Sequence, residues 1–147
     1  MSGTVALRDV EDADLPVLFE HQADPVAWRM ADFPSRDRDA FMAHWAKIRA
    51  DPTLWSRAVT LDGTLVGNVV SFERGGVQEV GYWIGREFWG RGIATEALRQ
   101  ALALIPLRPL HAGLIKTNTG SRRVLEKCGF TLLREEGDDF VFILEGA

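Results

Sequence analysis

Cysteine is nearly absent. Cys128 is the only one in 147 residues, which excludes an internal disulfide and any multi-cysteine zinc site and fits a reducing compartment. An excess of basic charge is absent too. Lys and Arg number 17 against 21 Asp and Glu, a net charge of −4, and no run of basic residues makes a patch able to hold a phosphate backbone, so nucleic acid is not an expected partner. Long apolar runs are missing. Met1 to Val10 alternates polar and apolar without the apolar stretch of a signal peptide, and no later segment approaches a membrane span, so no membrane partner is expected and the cytoplasm is the expected location. The three histidines, His21, His44 and His111, share no ligand spacing. Each therefore reads as a surface or core histidine, and no metal is expected.

What remains is an ordinary globular composition, 46% hydrophobic and 26% charged, with room for one core, so residues 1–147 are expected to form a single domain. Thr4 to Val10 reads as a strand and is followed by a helix to about Gln22. Pro25 and Pro34 bracket a connection holding Trp28, Arg29, Met30 and Phe33, after which Ser35 could cap a helix carrying Phe41, Trp45 and Ile48. Trp55 to Leu61 and Thr64 to Phe72 read as strands joined by the hairpin signal Asp62-Gly63, and Gly75-Gly76 leads into Val77 to Ile84. Helical spacing from Ile93 stops at Pro106 and Pro109. Leu110 to Ile115 reads as a buried strand, Ser121 to Cys128 as a short helix ending at Gly129, and Thr131 to Leu133 with Phe140 to Leu144 as a closing hairpin. That order predicts an α/β fold: a mixed sheet with helices on both faces.

The most informative stretch is Trp89-Gly90-Arg91-Gly92-Ile93-Ala94-Thr95, where two glycines separate a strand from the long helix. Glycines let successive backbone amides turn inward, and a helix amino terminus adds partial positive charge, so a pyrophosphate is the ligand such a turn suits. A plain connecting turn is the alternative. No Gly-Lys-Ser/Thr ends the loop as a P-loop requires. Thr95 stands where a dinucleotide fingerprint has its third glycine, and Leu110 to Ile115 lacks an acid for a ribose, so nicotinamide cofactors lose support.

The segment resembles the cofactor loop of the GNAT N-acetyltransferase superfamily, Arg/Gln-x-x-Gly-x-Gly/Ala, with Trp89 departing from its first position. The run Trp-Gly-basic-Gly-aliphatic-Ala-Thr-Glu resembles the branch containing ribosomal-protein alanine N-acetyltransferases. Glu79-Val80-Gly81-Tyr82-Trp83-Ile84 is similar to the family's preceding strand, and Asn118 through Ser121 to Leu125-Glu126-Lys127-Cys128-Gly129-Phe130 to its late helix and strand entry. The resemblance implies a mostly antiparallel sheet of about seven strands with one splayed parallel pair, here Val77 to Ile84 and Leu110 to Ile115. It implies acetyl-CoA as cosubstrate and an amine as acceptor, joined by direct attack through a tetrahedral intermediate. Backbone groups of Trp83 and Ile84 would meet the pantetheine, amides of Trp89, Gly90, Arg91, Gly92, Ile93, Ala94 and Thr95 the phosphates, and Asn118 would hydrogen-bond the cofactor. An amide near Ile84 would serve as oxyanion hole.

An ammonium must lose a proton before it attacks, and Glu79, on the same strand face as Gly81 and Trp83, is the candidate base; the alternative is an exposed strand glutamate. The family's late tyrosine is replaced by Leu125, and the resemblance to the ribosomal branch makes Ser121 the candidate acid, with helix capping as its other role. An ordinary thiol, with a pKa of about 8.5, also leaves tolerably without an acid. Trp28 and Phe33, in the irregular connection, are candidates to line the acceptor pocket. Trp45 and Trp55 read as core, and Cys128 as packing beside Val124 and Leu125. Glu135, Glu136, Asp138 and Asp139 surround Gly137, either attracting a cationic amine or solubilising a turn. A homodimer is compatible with family habit. A non-catalytic acyl-CoA sensor or partner-binding module is the rival reading.

Overall fold

A computed structural model describes residues 3–31 and 35–146. The elements run β1 (Val5–Arg8), a 3-10 turn (Asp12–Asp14), α1 (Leu15–Ala23), α2 (Pro25–Ala31), α3 (Arg38–Ala50), β2 (Trp55–Leu61), β3 (Thr64–Arg74), β4 (Val77–Ile84), a 3-10 turn (Arg86–Phe88), α4 (Ile93–Leu104), β5 (Leu110–Ile115), α5 (Thr119–Lys127), β6 (Thr131–Glu136) and β7 (Asp139–Leu144). The sheet has seven strands in the order β1-β2-β3-β4-β5-β7-β6. All neighbours are antiparallel except β4 and β5, which run parallel and share a single register pair, Glu79 with His111. Beyond that pair the two strands part toward their carboxyl ends, and this is the splay that the resemblance implied.

Alternation along the strands divides the apolar side chains between two cores. On one face α4 and α5 close over Val59, Val69, Val80, Leu110 and Phe142, with Leu98 and Leu125 fully buried between the layers. On the other, α1 and α3 bury Leu18, Phe41 and Trp45 against Ala58. Trp55 packs against the first cluster from a half-buried position. Among the described residues no helix is long and apolar enough to cross a membrane.

Three local expectations are corrected. The connection after Pro25 is the helix α2, because a proline at the first helical position lacks an N–H that the helix would leave unpaired anyway and has its φ already set. Ser35 does not cap α3. Asp37 does, its Oδ1 accepting from Ala40 N at 2.8 Å, while Ser35 Oγ bonds Arg36 O and Gln22 Nε2. Strand β6 also runs on to Glu136, past the expected Leu133.

A register shift between Val59 and Thr60 leaves Val66 as the extra residue of a bulge in β3, and Val66 O then accepts from Gly85 N at 2.9 Å. Its neighbour Gly67 lies so close to β4 that a Cβ there would stand 2.2 Å from Trp83 O. The bulge and the missing side chain let β3 press against the last residues of β4 and hold them where the strands part.

Candidate active site

At the carboxyl end of β4 the backbone turns through Arg86–Phe88, and Trp89 folds back so that its Nε1 donates to Ile84 O at 2.8 Å. The Trp89 indole thus fastens the root of the glycine turn while the rest of its side chain stays exposed. Gly92 sits in the left-handed region at φ 77° as the N-cap of α4 and offers no capping side chain, so the first N–H groups of the helix lack intrahelical partners. Gly90, at φ 75°, is left-handed too, and a Cβ added to either glycine would meet nothing within 4 Å. The result is an open, amide-lined cradle with the exposed Arg91 between the glycines. The first turn does carry an acid, Glu96, but its carboxylate is engaged by Arg99 and Gln100.

Gly85 N bonds β3 and Trp83 O lies against Gly67, so the backbone at both residues is turned toward β3. Alternation then turns the Ile84 N–H the other way, into the splay. The Trp83 side chain donates from Nε1 to His21 O at 3.2 Å and thereby seats α1 on this end of β4. Asp24, at the end of α1, pairs with Arg86 at 2.7 Å, tying the helices to the turn before the cradle. His21 is buried beside Gly85 with its Nδ1 unpartnered, and burial pushes its pKa below the ordinary histidine value against the opposing pull of Glu87 and Glu20.

On the opposite flank Asn118 caps α5, its Oδ1 accepting from Ser121 N at 3.1 Å. Helix capping therefore belongs to Asn118, and only its amide nitrogen is left to donate to a ligand. The Ser121 hydroxyl instead meets the Tyr82 hydroxyl at 2.6 Å, joining β4 to α5 across the splay. Burial pushes the Tyr82 pKa up to about 12 against the opposing Ser121 hydrogen bond. Tyr82 carries no mark in sequence beyond its place on the strand, since its partner lies 39 residues away.

Glu79 occupies the closed base of the splay, its side chain 16% exposed. Arg74 grips the carboxylate with two hydrogen bonds, Nε to Oε2 at 2.8 Å and Nη2 to Oε1 at 2.9 Å. Across the parallel register stands His111, whose buried Nδ1 has no partner. Trp28 lies half-buried on α2 with the Arg29 guanidinium 5.4 Å from its ring. Phe33 lies outside the described residues. Two of the four acids of the last hairpin are in ion pairs: Lys116 meets Glu135 at 2.8 Å and Arg134 meets Glu136 at 2.9 Å, with Lys116 holding the Glu135 carboxyl below its usual range. These pairings favour a solvated turn over an acceptor site. Cys128 packs half-buried on the core with Sγ 3.5 Å from Thr95 O, and burial raises its thiol pKa, which is the wrong direction for a nucleophile. Among the described residues no group of three or more His, Cys, Asp or Glu is placed to hold a metal ion.

A glycine turn at a helix start, set at the mouth of a single parallel splay, is the arrangement the sequence resemblance implied. The acetyltransferase (GNAT) domain family matches residues 4–131. The chain belongs to the GNAT acetyltransferase family. Among curated relatives in Bacillus subtilis (strain 168), it is 29% identical over 147 residues to the putative ribosomal N-acetyltransferase YdaF, covering 91% of this chain and 79% of that protein. It is 40% identical over 77 residues to the probable N-acetyltransferase YjcK, covering 47% of this chain and 42% of that one; the matched stretch thus spans less than half of YjcK. Among solved structures, RimL, a ribosomal L7/L12 alpha-N-protein acetyltransferase in complex with coenzyme A, superposes with a TM-score of 0.80 at 18% identity over 98% of this chain and 95% of that one. That last likeness is one of fold.

Proposed function

We propose that this GNAT domain transfers an acetyl group from acetyl-CoA to a primary amine, a protein amino terminus or a small-molecule amine, by direct attack. The observation that carries the reading is the left-handed Gly92 opening α4 beside the point where β4 and β5 part. The residues present suit the cosubstrate: the space beside the α-carbons of Gly90 and Gly92 is open, α4 starts at Gly92 without a capping side chain, and Arg91 adds a cation at the mouth. In this reading Ile84 N–H faces the thioester and stabilises the oxygen charge that develops during attack. Glu79 takes a proton from the incoming ammonium, directly or through water. The Ser121 hydroxyl stands on the leaving-group side, and Trp28 borders the acceptor's approach. A groove of about 810 Å³ beside α1 is lined by Glu20 and Glu87 and by the Asp24–Arg86 ion pair, which leaves two acids there to suit a cationic acceptor. We assign the reaction to the cytoplasm, on the strength of the single cysteine.

One observation favours the rival, an acyl-CoA sensor without turnover: both carboxylate oxygens of Glu79 are held by Arg74. Calorimetric titration of acetyl-CoA, with NADH as control, followed by thiol release across an amine panel, separates the two. One-site binding with amine-dependent release supports the transferase. Binding without release supports the sensor, and no binding by folded protein removes both.

A further inference from the structure

We propose that Tyr82 is a positioning residue: its hydroxyl donates to Ser121 Oγ and so leaves the Ser121 proton to hydrogen-bond the departing sulfur. The inference rests on the acetyl-transfer reading above. A buried phenol needs an acceptor for its proton, and both acceptors within reach belong to Ser121, Oγ at 2.6 Å and the carbonyl at 3.3 Å. A phenol is a stronger acid than an aliphatic alcohol, so the shorter contact is strongest with Tyr82 as donor. Ser121 is itself fixed, because Asn118 Oδ1 holds its N–H at the start of α5. With one lone pair of Oγ occupied by Tyr82, the serine proton turns away from β4. Each bond of such a chain polarises the next.

The pair acts by hydrogen bonding and not by giving up a proton. Burial drives the Tyr82 hydroxyl up to about 12, and an ordinary thiol lies near about 8.5, so complete transfer from the pair to sulfur runs uphill. As the N–C bond forms and the C–S bond breaks, the electron pair leaves on sulfur as a thiolate that Ser121 solvates. Of the two protons nitrogen loses between ammonium and amide, one leaves through Glu79, the other passes to solvent, and solvent later protonates the thiolate. Helix α5 carries Leu125 where the family resemblance implied a tyrosine. Tyr82 brings a phenol to the same helix from the sheet side.

A double-mutant cycle tests this. Tyr82→Phe should lower kcat about tenfold, the scale of one hydrogen bond, with the Kd for acetyl-CoA unchanged. Ser121→Ala should lower kcat at least as much, and adding Tyr82→Phe to it should cost nothing further. An additive double variant, an unchanged kcat in Tyr82→Phe, or a loss confined to acetyl-CoA affinity overturns the proposal. A second measurement needs no variant. Tyr82 is the chain's single tyrosine, so the tyrosine Fermi doublet in the Raman spectrum of the unmodified protein reports whether its hydroxyl donates. A donor pattern supports the arrangement and an acceptor-only pattern overturns it. Failure of the unmodified chain to release thiol with any amine sinks the parent reading and this one with it. Thiol release with an additive cycle sinks this one alone.

Discussion

Glu79 is asked to accept a proton while a guanidinium occupies both of its oxygens, and magnitudes settle whether the two roles conflict. The Arg74 side chain is 74% exposed, and an ion pair with one solvated partner contributes on the order of 0.2–1 kcal/mol. An incoming ammonium can displace a clasp that weak, so Arg74 holds the carboxylate in place until the acceptor arrives. Two steady-state outcomes follow at this scale. Glu79→Gln should lower kcat by about 10² to 10⁴, the range of a general base, and leave the calorimetric Kd for acetyl-CoA unchanged. Arg74→Gln should lower the KM for the amine, because the competing cation is gone; a higher KM would make Arg74 part of the acceptor site instead. The place of Glu79 on the strand, on one face with Gly81 and Trp83, was legible in sequence from alternation. Arg74 was not, since its contact depends on the diagonal of the β3–β4 hairpin, with Glu79 in register opposite Phe72.

At the scale of elements, legibility followed the strength of local chemistry. The Asp62-Gly63 and Gly75-Gly76 turns, the apolar stripe of α4 and the bounds of β5 could be read from a few residues each. Helix α2 could not, because Pro25 reads equally as a breaker and as a first helical residue, and only packing against α1 decides between them. The cap of α3 passed from Ser35 to Asp37 because three residues of this stretch are equally good cappers of a nearby start. The site divides along the same line. The cradle was written in the spacing of Gly90 and Gly92, while the Tyr82–Ser121 bridge needed the sheet and α5 to be assembled first. Gly92→Val tests the cradle. A branched side chain at φ 77° costs about 1–2 kcal/mol in backbone strain and covers the amides. The melting temperature should therefore fall by a few degrees while acetyl-CoA affinity falls more than tenfold. Unaltered affinity in the folded variant would mean that the phosphates do not sit there.

For the whole molecule, buried histidines and a partnered aspartate are among the groups that make stability respond to acid. Burial lowers the pKa of His21, and burial with Arg36 and Lys47 lowers that of His44, from the ordinary 6.5. Below about pH 6.5 the unfolded chain binds protons that the folded chain refuses, so stability is lost as pH falls through that value. Asp14 acts in a lower window. The Arg8 hydrogen bonds lower its pKa from 3.8, giving stability that is present above that value and disappears as pH falls through the folded one. Denaturant melts between pH 8 and 3 should show both declines, and His21→Gln should flatten the first. A pH-independent midpoint between 7 and 5 would show that His21 is solvated in the folded protein.

The lone Glu79–His111 pairing between β4 and β5 makes the sheet a seam stitched at its base and left open toward the carboxyl ends of both strands. Backbone amides along that seam have no ladder partner on the facing strand past Glu79, and their hydrogens should exchange with solvent far faster than those of β2 and β3. An extended ligand lying in the seam would supply the missing partner, much as a peptide joins the edge of a sheet. Exchange along β4 would then slow on addition of acetyl-CoA, with the change concentrated past Glu79 and absent from β1. The fold keeps its largest remaining gain in backbone order unspent until that ligand arrives.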